Sequence, residues 1–180
     1  MNHIKSAFVV VLGFLLLVPV AVNAENATSP ERAALIHDNC TNLKRLLQQQ
    51  QRRDLVSRNN RGRGYESLVT QLEAFSDRLH YNKINADRHD RLLVDLKATV
   101  DRFRNAYLHY DATLTALIQA DCQAKPADFG VLLDQTRSAR QAIGNEVTKA
   151  EELTIEYRKA VTDLRTQIEQ LNATAARVKE

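Results

Sequence analysis

From Pro30 onward, apolar side chains recur every three or four positions, with polar stretches between them. That period places them on one face of an α-helix, so the pattern predicts long amphipathic helices rather than strands. The first helix starts near Pro30. Thr28 with Glu31 fits a capping box, and Pro30 suits a first turn, where its missing N–H has no partner to lose. Ile36, Cys40, Leu43 and Leu47 then form a seam that includes Cys40. The seam weakens from Gln48 to Gly64, where Leu55 and Val56 are the only aliphatic residues, and resumes with Tyr65, Leu68, Leu72, Phe75 and Leu79. The two halves are out of phase by about one residue, and a stutter or break near Asn59 to Gly64 would reconcile them. Neither Gly62 nor Gly64 adjoins a proline, which favours a continuous helix. The polar seam can line a groove, accept a partner helix or let the helix bend; bending is the simplest reading.

Tyr81 to Asn85 reads as a turn, with Asn85 able to cap the second helix. That helix carries a heptad seam of Leu93, Leu96, Val100, Phe103, Tyr107, Tyr110, Leu114 and Leu117. After a second turn, Asp121 to Pro126, a third seam runs from Phe129 through Leu132, Ala139, Val147, Tyr157 and Leu164 to Ala175, always at spacings of three or four. Three long stripes must bury one another. The expected fold is therefore all-α: an elongated, coiled-coil-like antiparallel three-helix bundle spanning residues 30–180, with helices at about 30–80, 86–121 and 127–178. Helix three is long enough to overhang the hairpin beyond about residue 166, leaving Leu164, Ile168 and Leu171 in need of a partner.

The two cysteines test this topology. The midpoint of 40 and 122 is 81, inside the first predicted turn. Residues equidistant from a hairpin tip stand at the same height on antiparallel helices, so Cys40 and Cys122 are placed to form an interhelical disulfide. The compartment is read from the N-terminus, where Lys5 precedes the apolar run Ala7 to Val22 and Val22-Asn23-Ala24 supplies small residues for cleavage. Residues 1–24 read as a signal peptide and 25–29 as a polar leader. The run is short for a spanning helix; left uncleaved, it would be an N-terminal anchor and the chain's one route to membrane contact. The chain is thus expected outside the cytoplasm: secreted, periplasmic or at a bacterial cell surface.

Charge changes this picture little. All 22 acidic residues and all but one of the 25 Lys and Arg fall after residue 24, a formal balance of about +2, too even to imply nucleic acid. Locally it is different: Arg52, Arg53, Arg58, Arg61 and Arg63 crowd into QRRDLVSRNNRGRGY. The plainer reading pairs them with acids on neighbouring helices, Arg52 with Asp111, Arg61 with Asp101, and Arg61 and Arg63 with Glu146, Glu151 and Glu152. The other reading makes them contacts for an anionic ligand. His80, Asp87, His89 and Asp90 gather at the hairpin tip, but without metal-ligand spacing they read as solvated. No nucleophile–base arrangement, paired carboxylates or phosphate loop is present, so no catalytic residue, cofactor or metal is assigned.

The run QQQRRDLVSRNNRGRGYESLVTQLEAFSDRL, with the earlier DNCTNL and the later ADCQAKPADF, resembles small exported helical proteins of Saccharibacteria-type candidate-phylum bacteria. The resemblance covers most of the chain after residue 24. It implies export and a helical hairpin and brings no activity or substrate. The expected role is a non-enzymatic extracytoplasmic structural, adaptor or assembly protein whose partner is another protein or itself. The alternative is a cell-surface module that binds an anionic ligand through the five arginines.

Overall fold

The computed structural model describes residues 29–177; the expected signal peptide, the expected leader up to Thr28 and residues 178–180 lie outside the described residues. Among the described residues the chain is all-α. Four helices succeed one another: α1 (Pro30–Asp38), α2 (Cys40–Tyr81), α3 (Asp87–Gln119) and α4 (Pro126–Arg177). Periodicity predicts three, and the fourth arises because the first arm is interrupted at Asn39. This residue leaves helical geometry (φ −106, ψ 12), and its side-chain amide donates to the Leu35 carbonyl at 2.9 Å. A short polar side chain that competes for backbone carbonyls loosens a helix at that point. Asn59 to Gly64, where the phase shift allowed a break, is helical throughout.

The caps are local chemistry. Ser29 starts α1, its Oγ accepting from the Arg32 N–H at 3.2 Å, in the role expected of Thr28. At the hairpin tip the Ile84 N–H reaches the Leu79 carbonyl and the Lys83 N–H the His80 carbonyl, both at 2.9 Å. This is a Schellman closure, with Lys83 in the left-handed region at φ 58 where glycine is usual. Asn85 Oδ1 accepts from the Asp87 N–H at 2.9 Å in an Asx turn just ahead of α3; the N-cap position itself falls to Ala86, one residue later than expected, and carries no side-chain cap bond. At the second turn the Asp121 carboxylate accepts from the Gln123 and Ala124 N–H groups at 3.0 and 2.9 Å. Those two backbone bonds hold its pKa below the ordinary value.

Packing obeys the seams. All eight α3 seam residues are buried. α3 packs along both α2 and α4, and α1 along α4, whereas no α-carbon of α2 comes within 8 Å of one of α4. The core divides in two. One cluster gathers Ile36, Cys40, Leu114, Leu117, Cys122 and Phe129 at the cystine end and extends to Phe103. The other joins Leu93, Leu96, Leu153 and Tyr157 to Leu68, Leu72 and Phe75 near the hairpin tip. Tyr65 packs against both. Cys40 and Cys122 are disulfide-bonded across a Cα–Cα distance of 5.5 Å, the pairing the midpoint rule predicts, but the bond is not interhelical as expected: it ties the first residue of α2 to the turn between α3 and α4. At the same end, Arg32 forks onto Asp134 at 2.6 and 2.7 Å, tying α1 to α4.

Candidate functional site

The α2 seam does not vanish between Leu47 and Tyr65; it changes chemistry. Gln51, Asp54, Arg58 and Arg61 continue it at spacings of three and four. The phase difference is one extra four-residue step, Leu43 to Leu47 to Gln51, rather than a break. The first three of these polar residues are half-buried and face the rest of the molecule. Gln51 Nε2 donates to Thr115 Oγ1 at 3.1 Å. Asp54 gathers the most partners: the Tyr110 hydroxyl donates to it at 2.6 Å, Gln50 Nε2 at 2.7 Å, and Arg140 Nη2 of α4 at 3.5 Å. The Arg58 guanidinium lies 5.1 Å from the centroid of the Tyr107 ring, within cation–π range.

These residues border a groove of about 220 Å³. α2 supplies Asp54, Arg58 and Arg61 along one wall; α4 supplies Arg140, Ile143 and Gly144 along the other; the α3 aromatics Phe103, Tyr107 and Tyr110 form the floor. The groove exists because α2 and α4 stand apart and are bridged here by long side chains instead of close-packed apolar ones. The floor is an aromatic ladder: Phe103 to Tyr107 at 6.2 Å and Tyr107 to Tyr110 at 5.8 Å, the latter pair edge-on at 85°. Burial pushes the Tyr107 phenol up to about 12, with the Asp54 charge adding to it and the Arg58 charge opposing it. Burial also raises Tyr110, and its hydrogen bond to Asp54 raises it further. Both phenols therefore carry their protons across the physiological range. The Tyr110 proton has an acceptor. The Tyr107 hydroxyl is buried with no hydrogen-bond partner.

The five arginines singled out in sequence separate. Arg58, half-buried, and Arg61, exposed, line the groove; Arg52, Arg53 and Arg63, all exposed, lie outside it. None of the five forms an ion pair among the described residues, contrary to the plainer expectation. The expected acids are engaged elsewhere or stand apart: Asp101 holds Arg104, Glu146 holds Arg102, Glu152 pairs with Lys149, Glu151 is exposed, and Asp111 is half-buried without an ion pair among the described residues. Asp54, Tyr107 and Arg140 are not among the site residues that the sequence suggests. Their signal is present there as polar residues at seam spacing opposite aromatic seam residues.

At the tip His80 and Asp87 are exposed as expected and Asp90 is half-buried, but His89 departs from the expectation. His89 is buried, 4% exposed, between Phe75 and Tyr157 at ring distances of 5.6 and 5.3 Å. Desolvation first, and Arg88 second, lower its pKa, while a backbone contact with Ala160 opposes them. Asp90 accepts from the Ser76 hydroxyl and pairs with His80 at 2.9 Å, and these contacts lower its pKa. Among the described residues no group of His, Cys, Asp and Glu is placed to hold a metal ion, and no helix is long and apolar enough to cross a membrane. A larger open groove of about 480 Å³ beside His109, Asp134 and Gln135 contains no unpartnered buried polar atom and is a surface depression. No family model, curated protein or solved structure matches the chain.

Proposed function

We propose that this chain is a non-enzymatic extracytoplasmic adaptor or assembly protein. In this reading α1 and α2 act as one kinked arm of an antiparallel three-helix, coiled-coil-like bundle. The observation that carries it is the free end of α4. The last tie between α4 and another helix is Arg88 Nη1 to Asp163 Oδ2 at 2.8 Å, at the height of the hairpin tip. From residue 165 to 177 every side chain is exposed, including Ile168 and Leu171. Those 13 residues project about 20 Å at 1.5 Å per residue. An unpacked helix end frays in water, and a partner along its Ile168–Leu171 stripe would hold it. The disulfide supports an oxidising compartment, and export would place the projecting end where an envelope protein or a second copy meets it.

Light scattering on the disulfide-bonded chain, compared with a chain ending at Leu164, tests the reading. Association of the longer chain, with the shorter one monomeric and equally helical per residue, is the expected result. A longer chain that stays monomeric, and whose photo-crosslinker at Ile168 captures no envelope protein, overturns it.

A further inference from the structure

The arginine-lined groove is a feature the adaptor reading leaves unused. Its floor holds a contradiction: Tyr107 is 5% exposed, and its hydroxyl has no partner. A buried hydroxyl without an acceptor is costly and calls for an explanation, of which a bound ligand is one. The surroundings define what that is. Arg58 covers the Tyr107 ring, and Arg61 and Arg140 line the same groove; guanidinium groups donate and cannot accept. Asp54 is the one carboxylate in the lining, and it already accepts from Tyr110, Gln50 and Arg140. The groove thus offers donors and positive charge, three arginines against one aspartate, and none of the acceptors that line it, Asp54 and the Ser57 hydroxyl, is bonded to Tyr107. Beside those donors lies carbon surface from Phe103, Ile143 and the Gly144 backbone.

We propose that this groove binds a small organic carboxylate. One carboxylate oxygen accepts from the Tyr107 hydroxyl, and the other faces Arg58 and Arg61. The hydrocarbon body lies against Phe103 and Ile143. Arg58 is the mobile element: it lies over the Tyr107 ring and swings outward on its flexible stem to pair with the anion. The volume of about 220 Å³ suits a compact acid. This rests on the anionic-ligand reading of the arginines but narrows it to Arg58 and Arg61, joined by Arg140 and Tyr107. Arg52, Arg53 and Arg63 have no part in it.

Titration of the disulfide-bonded chain with benzoate, phenylacetate and succinate, and separately with inorganic phosphate, tests the assignment by calorimetry and amide chemical shifts. At least one carboxylate should bind saturably and more tightly than phosphate. Tyr107→Phe should weaken that binding about tenfold while leaving the melting temperature equal or higher, because it removes the unsatisfied hydroxyl. Gly144→Leu should abolish it: a Cβ there meets no atom within 4 Å, so the variant folds with a filled groove. The triple change Arg52→Gln, Arg53→Gln, Arg63→Gln should leave carboxylate binding unchanged; a loss there would return the binding to the wider arginine patch and overturn the groove. Absence of binding by every acid, phosphate binding alone, or unaltered affinity in both Tyr107→Phe and Gly144→Leu would equally overturn it.

Discussion

The cystine end and the middle of the molecule solve the same packing problem with opposite materials. At the cystine end, Leu114, Leu117, Cys122 and Phe129 are 0–1% exposed, and a covalent bond and the Arg32–Asp134 fork hold the helices in register. Further along the first arm, Asp54 and Arg58 replace the apolar knobs, and α2 stands off from α4 across a groove. Apolar burial is non-directional and rewards closeness. A polar seam needs particular partners at hydrogen-bond distance and leaves space where they run out. The dry end supplies stability, and the wet middle gives some up for a surface with chemistry.

The largest effect should come from removing the covalent pin. Closing a loop of 82 residues contributes about 4.5 kcal/mol in the chain-entropy model. The double variant Cys40→Ser, Cys122→Ser should lose most of that in urea titration while its helix content at low denaturant stays close to the parent's. Leu117→Ala, at a site 0% exposed, should cost about 3 kcal/mol by cavity formation. The corresponding change in the middle, Asp54→Ala, strands the Tyr110 hydroxyl and should cost about 2 kcal/mol in the same titration. If Asp54→Ala proved as damaging as Leu117→Ala, the contrast between the two regions would collapse.

Acid provides a further separation, because the buried titrating imidazole belongs to neither region. The pKa of His89 is lowered in the folded chain, so below the ordinary histidine value of about 6.5 the unfolded chain binds more protons. Stability should therefore fall as pH drops from about 6.5 toward the folded-state value, and be regained as pH rises. The groove phenols keep their protons over this window and do not contribute. Thermal melts across that range should show the decline in the parent chain and a flatter profile in His89→Leu. The smallest effect concerns the helix that carries the polar seam. Gly62 and Gly64 are helical, and a Cβ at either meets nothing within 4 Å. Alanine at each should stabilise by about 0.5–1 kcal/mol. No gain would mean that neighbouring contacts, rather than local propensity, set stability in the middle of α2.

Periodicity by itself determined the helical class, the two turns, the α3 seam and the cystine pairing. Each depends on relations along the chain: a three-four spacing, a cluster of turn-forming residues, or two cysteines equidistant from a turn. The projection of α4 came from helix lengths alone. Tertiary structure decided what the polar seam does. In sequence, Asp54 and Arg58 look like a weak stretch of helix, and Arg52 to Arg63 like one patch. The separation of α2 from α4, set by the side chains of three helices together, splits those arginines between groove and solvent. It also brings Arg140 to Asp54 across 86 positions of sequence. His89 reads as solvated in sequence for the same reason: its burial comes from Phe75 and Tyr157, which stand far from it along the chain and meet it only when the three helices pack.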